Sequence, residues 1–129
     1  MTNKYRAGDS QIDKLIVLGL GLLGASICAA AKKLGLANEI IGISRRQSTI
    51  EIAHAKEIID KSSDSLATLA GNFGENDLLV LAVPTLAMKS VLSECHEHVP
   101  PSVTITDVAS VKTKIIEFAK QTYGDIPKN

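Results

Sequence analysis

The sequence predicts an α/β fold, a doubly wound and mostly parallel sheet with helices on both faces, and three observations predict it. Short runs that are apolar on every side, Lys14–Gly19 and Leu78–Val83, suit strands covered on both faces. Two helical segments alternate with them, the small-residue stretch Leu22–Leu34 ended by Gly35 and Thr85–His96 with its apolar residues near helical spacing. The connections are short, and strands alternating with helices over short connections give a parallel sheet.

Taken in order, residues 1–12 are polar and read as a flexible tail ahead of one nucleotide-binding domain over residues 13–129. Lys14–Gly19 is the first strand. Leu22–Leu34 is a helix of small residues, ended by Gly35 where a left-handed cap is common. Glu39–Ser44 reads as a second strand, Ile50–Lys56 as a short helix, and Ile58-Ile59 as a brief third strand. A short helix is expected near Leu66–Ala70 within the polar stretch Asp60–Asp77. The strand Leu78–Val83 is stopped by Pro84. In the next helix Leu86, Met88, Val91, Leu92 and Cys95 are expected to face inward. Pro100-Pro101 breaks that helix, Val103–Thr106 is a further strand, and Val111–Gln121 a last helix.

Composition excludes several functions. The chain of 129 residues is 45% hydrophobic with 14 basic and 14 acidic residues, so no basic excess points to nucleic acid. The longest apolar runs are interrupted by Gly, Ser or Lys, and no membrane span is expected. The N-terminus lacks the apolar centre of a signal peptide, so a cytoplasmic protein is expected, with Cys28 and Cys95 as reduced, buried thiols. The three histidines do not converge. His96 and His98 are two residues apart and do not share a helical face, so no metal site is expected.

The first strand runs into Gly19-Leu20-Gly21-Leu22-Leu23-Gly24. In a Rossmann-type dinucleotide fold the first glycine makes the tight turn, the second lets backbone approach a pyrophosphate, and the third lets helix and strand pack closely. The N–H groups of Leu22, Leu23 and their neighbours, with the positive end of the helix dipole, suit phosphate. The motif alone is weak, but here a strand precedes it and a helix follows. In such a fold the residue about 20 positions further on meets the adenosine ribose, and here it is Ser44, within GISRRQST (Gly42–Thr49). An aspartate there would favour NAD. A carboxylate beside a 2′-phosphate would cost on the order of 4 kcal/mol at an effective dielectric near 20. A guanidinium instead makes forked, charge-assisted bonds of roughly 1.5–3 kcal/mol each. Arg45 and Arg46 therefore point to NADP in preference to NAD, with Ser44, Gln47 and Ser48 adding neutral hydrogen bonds and one arginine stacking on adenine. Solvated surface charge at a helix start is the alternative for both arginines.

Four stretches together resemble the N-terminal part of the prephenate and arogenate dehydrogenases of tyrosine biosynthesis: Ile16–Ser26, Gly42–Arg45, Leu81–Pro84, and the more specific Thr106-Asp107-Val108-Ala109-Ser110-Val111-Lys112. The likeness covers nearly all of residues 14–123, and SRRQST resembles the NADP-using, arogenate-type members. The resemblance implies an oxidative decarboxylation, with hydride passing to nicotinamide while a histidine takes the hydroxyl proton. It implies that Ser110 lies near the nicotinamide and assists by orienting that histidine and the substrate hydroxyl. Ser110 also fits an N-cap for the helix from Val111, Asp107 fits the same capping role, and Lys112 fits a surface charge. Ala82, Val83 and Pro84, at the carboxyl edge of the sheet, are expected to wall the cofactor.

By the same resemblance, the catalytic histidine belongs to a His-Pro block beyond Asn129. The helical domain that binds prephenate or arogenate and forms the homodimer is likewise expected to lie outside these residues, so this chain alone is expected to bind cofactor without turnover. Two other readings remain open at this point: a stand-alone dinucleotide-sensing module, and a reductase of small hydroxy acids or imines.

Overall fold

The apolar runs become the inner strands of a parallel sheet. The computed structural model describes residues 12–108. The expected N-terminal tail, but for its last residue, lies outside the described residues, as do Ser110 and the helix expected over Val111–Gln121. The described elements are β1 (Ile12–Leu18), α1 (Leu22–Leu34), β2 (Ala37–Ile43), α2 (Gln47–Ala55) and β3 (Lys61–Ser63). A 3-10 turn (Leu66–Leu69), β4 (Leu78–Leu81), α3 (Thr85–His98) and β5 (Thr104–Asp107) follow. The five strands are ordered β3-β2-β1-β4-β5, and every pairing is parallel. Chain order reverses between β1 and β4, which opens a crevice at their carboxyl ends.

Side chains alternate across a strand, so an all-apolar strand feeds two cores. Leu15 and Val17 of β1 join Ile27, Cys28 and Ala31 of α1 and Ile50 and Ala53 of α2 on one face. Ile16 and Leu18 join Leu66, Val91 and Cys95 on the other. Ile16, Ile40, Leu66 and Leu79 are fully buried, and each such side chain contributes roughly 1.5–3 kcal/mol. Helix α1 stops where expected because Gly35 takes a left-handed φ of 63°, which lets the Leu36 N–H reach the Ala31 carbonyl at 3.1 Å.

The amino edge of the sheet is held by charges that find partners within the chain. Asp77, whose side chain is fully buried, accepts from the N–H groups of Lys14 (3.1 Å) and Gly74 (2.7 Å) and pairs with Lys14 Nζ at 3.4 Å. Asp60 accepts from the Ile40 N–H at 2.8 Å and pairs with Lys32 in the last turn of α1. Lys61 pairs with Glu39 at 3.0 Å, joining β3 to β2.

Two expectations need correction. The third strand is Lys61–Ser63, not Ile58-Ile59. Ile58 and Ile59 lie in the turn after α2, where Glu57 takes a φ of 57° and Ile59 drops into the core beside α1 and α2. β3 lies at the edge of the sheet, and its exposed Lys61 and Ser62 carry no apolar pattern. On α3 only Val91 and Cys95 are buried and Met88 packs partly against them; Leu86 is 99% exposed and Leu92 50%. Leu86 sits in the first turn of α3, where no element among the described residues covers it.

Candidate functional site

The three turns at the carboxyl edge are tied together by backbone. The Gly19 N–H donates to the Ile43 carbonyl at 2.9 Å, the Ala82 N–H to the Leu18 carbonyl at 2.9 Å, and the Ser44 N–H to the Ser63 carbonyl at 3.1 Å. These bonds extend the ladder past the strands and fix where each turn leaves the sheet.

The three glycines of the first turn differ physically. Gly19 has a φ of +102°, and a Cβ there would lie 2.4 Å from the Ala82 carbonyl oxygen. A Cβ on Gly24 would lie 1.8 Å from the Gly19 carbonyl oxygen, so the close approach of α1 to the turn forbids one. The fold itself requires both glycines. Gly21 has an ordinary φ of −69°, and a Cβ there would meet nothing within 4 Å among the described residues. The protein's own packing makes no demand for glycine at Gly21. A backbone left bare toward open space suits a ligand that must approach it closely, which is the fit expected of a diphosphate. Gly21 is also the N-cap of α1, with no side-chain cap and no acidic residue in the first turn. The first N–H groups of α1 therefore point outward beside the positive end of the helix dipole.

Two hollows flank this turn. One, of ≈ 460 Å³, is lined by Gly19, Gly21, Leu22, Leu23, Ala82, Val83, Pro84 and Val108 and is largely apolar. The other, of ≈ 280 Å³, has an apolar floor of Leu18, Ile43, Leu66 and Val91 and a polar rim of Ser44, Arg45, Asp64, Ser65, Ser90 and Glu94. Gly19, Val83 and Pro84 line both. The result is one two-lobed groove, apolar on one side and charged on the other, with bare backbone between.

Of the residues singled out from sequence, Gly19, Gly21, Leu22, Leu23, Ala82, Val83 and Pro84 line the apolar lobe, and Ser44 and Arg45 the charged one. Gly24 is buried beneath the turn. Arg46 and Ser48 are exposed at the start of α2 and form no part of either lining; Arg46 is the N-cap, its N–H donating to Ser44 Oγ at 3.2 Å. Ser110 lies outside the described residues. Asp64, Ser65, Ser90 and Glu94 were not singled out. Asp64 and Ser65 follow the misplaced third strand, and Ser90 and Glu94 reach the cleft from α3, so no local motif marks them.

Among the described residues no cluster of three or more His, Cys, Asp or Glu side chains could hold a metal ion, and no helix is long and apolar enough to cross a membrane. Cys28 and Cys95 are buried on opposite faces of the sheet. Burial pushes the Cys28 thiol up to about 12; burial, then the charge of Glu94, raises that of Cys95. Neither is primed as a thiolate nucleophile.

Comparison with known proteins accords with this geometry. The family described as "Prephenate dehydrogenase, nucleotide-binding domain" matches residues 27–126. The chain is 34% identical over 112 residues to the prephenate dehydrogenase of Lactococcus lactis subsp. cremoris, covering 86% of this chain and 30% of that protein. Among solved structures, Synechocystis arogenate dehydrogenase is 35% identical with a TM-score of 0.63, over 85% of this chain and 37% of that one. Prephenate dehydrogenase from A. aeolicus, in complex with hydroxyphenyl propionate and NAD+, superimposes with a TM-score of 0.67 at 20% identity, over 81% of this chain and 38% of that one. The chain thus spans about a third of the length of these relatives. With the family matched over most of its length, the chain belongs to the prephenate dehydrogenases, of which it carries the nucleotide-binding domain.

Proposed function

We propose that this chain is the NADP-binding part of a cytoplasmic dehydrogenase that oxidatively decarboxylates prephenate or arogenate. The observation that carries the cofactor assignment is the corner after β2. Where a ribose-binding carboxylate would favour NAD, Ser44 stands in the cleft wall with Arg45 beside it, and Arg46 caps the adjoining helix. The family match and the 35% identity to an arogenate dehydrogenase favour this reading over a sensing module or a reductase of hydroxy acids or imines.

When bound, the nicotinamide supplies an acceptor for hydride. The chain's own residues bind and shield. The outward N–H groups at the start of α1 take the diphosphate, Gly21 leaves room for it, and the floor of Leu18, Ile43, Leu66 and Val91 takes the adenine. Leu22, Leu23, Ala82, Val83 and Pro84 exclude water around the nicotinamide. Val108 lines the same lobe, which supports a positioning role for Ser110, two residues further on, toward the substrate hydroxyl. A proton-accepting histidine, the substrate-binding helical domain and the dimer interface belong to the remaining two-thirds of a protein of the relatives' length.

Calorimetric titration tests the cofactor assignment. Arg45→Ala and Ser44→Asp are each expected to weaken NADP+ at least tenfold relative to NAD+, about 1.4 kcal/mol. Unchanged preference in both variants would remove the 2′-phosphate assignment. The 129-residue chain is also expected to form no NADPH from prephenate or arogenate on its own.

A further inference from the structure

Arg45 does not stand free beside the cleft. Its Nη2 lies 3.5 Å from Oε1 of Glu94, which reaches over from α3. Arg45 follows β2 and Glu94 stands on α3, so the pair links two elements that line the charged lobe. The Arg45 side chain is 85% exposed and that of Glu94 36%, and the separation exceeds a good charge-assisted hydrogen bond. Such a pair is worth no more than about fivefold in an equilibrium. A ligand can break it.

We propose that Glu94 narrows the cofactor preference by tethering Arg45 at the cleft, so that uptake of a 2′-phosphorylated dinucleotide must first break the Arg45–Glu94 pair. The inference rests on the NADP reading and adds a residue to it. One planar guanidinium fork cannot serve a carboxylate and a phosphate with the same N–H groups. The phosphate, carrying about 1.5–2 negative charges and three acceptor oxygens, is the stronger partner. Arg45 therefore transfers from Glu94 to the ligand. A dinucleotide with a free 2′-hydroxyl has no comparable claim on Arg45 and leaves the tether in place. Glu94 thus lowers affinity for the phosphorylated cofactor and scarcely affects the other, narrowing a preference the arginines alone would make wider. Asp64 lines the same lobe but is not paired with Arg45, so the tether runs through Glu94.

The test is a double-mutant cycle on the 129-residue chain, with NADP+ and NAD+ as probes in calorimetric titrations. Glu94→Gln is expected to tighten NADP+ about threefold to fivefold while changing NAD+ less than about twofold. In an Arg45→Ala background the same substitution is expected to give no gain. Glu94→Ala provides a second variant, with melting curves verifying that each protein is folded. Wild-type preference for NADP+ together with an unchanged or weakened NADP+ affinity in Glu94→Gln overturns the tether and leaves the proposed function standing. A gain that survives in the Arg45→Ala background also overturns it, because Glu94 would then act on the phosphate directly. If the wild-type chain shows no preference for NADP+, the cofactor reading itself falls, and the tether with it.

Discussion

The two edges of the sheet handle polar groups in opposite ways. At the amino edge Asp77, Asp60 and Glu39 each have a cationic partner, and Asp77 and Asp60 also accept from backbone N–H groups. At the carboxyl edge the first N–H groups of α1 have no side-chain cap, Leu22 and Leu86 lie exposed, and the Arg45–Glu94 pair at the groove is long and solvated. A folded chain satisfies its buried polar groups internally unless something else is to satisfy them. The difference therefore separates scaffold from site. Substitutions at the amino edge should change stability without changing affinity, and those of the groove's exposed groups at the carboxyl edge, as distinct from the tightly packed Gly19 and Gly24, should do the reverse.

The sharpest way to break that comparison is Asp77→Ala. It strands the Gly74 and Lys14 N–H groups and leaves Lys14 Nζ without its carboxylate, in a place where the Asp77 side chain is fully buried. Breaking a buried pair from one side costs about 3 kcal/mol. Urea unfolding should show that loss, while the fraction still folded binds NADP+ within about twofold of wild type. Weakened binding with stability intact would join the two edges into one functional unit.

Next in size is Gly21→Ala. Its backbone angles suit alanine and the added Cβ meets no atom of the described residues, so stability should change by less than about 1 kcal/mol. Dinucleotide affinity should fall at least tenfold, about 1.4 kcal/mol, because the methyl group occupies the diphosphate's approach. Gly24→Ala, three residues further into α1, should instead lose the fold, since its Cβ would lie 1.8 Å from a carbonyl oxygen. A Gly21→Ala protein that binds as well as wild type removes the diphosphate assignment.

What the sequence made legible follows the same division. Leu15–Leu18 and Leu78–Leu81 are buried on both faces, so their apolar runs announced strands, and Gly35 announced the end of α1 by needing a left-handed φ. The glycine loop was legible because its chemistry is local. β3 was not: an exposed edge strand carries no apolar alternation, and the apolar pair beside it, Ile58-Ile59, fills a core from a turn. Leu86 and Leu92 misled because apolar spacing marks a helix without saying how far its neighbours extend. Glu94 and Asp64 join the site only because α3 and the end of β3 fold against the corner after β2, and a one-dimensional pattern does not contain that contact.

Asp60 offers the smallest effect and the most direct measure of a charge fixed by its own chain. Partial burial alone would raise its pKa, but hydrogen bonds from Lys32 and the Ile40 N–H, with the Lys32 charge, hold it below the usual carboxylate range. A carboxyl whose folded pKa lies below the unfolded value of about 3.9 contributes stability above that value and loses it as pH falls through the lower, folded one. Asp60→Asn should therefore lower the melting temperature at pH 7, and its deficit against wild type should close as pH drops below about 4. Cofactor affinity should not follow, because Asp60 braces the C-terminal end of α1 against β2 at the edge away from the groove. A deficit that stays constant from pH 7 to below 3 would mean that the shape of the carboxyl group, and not its charge, holds that end of the helix.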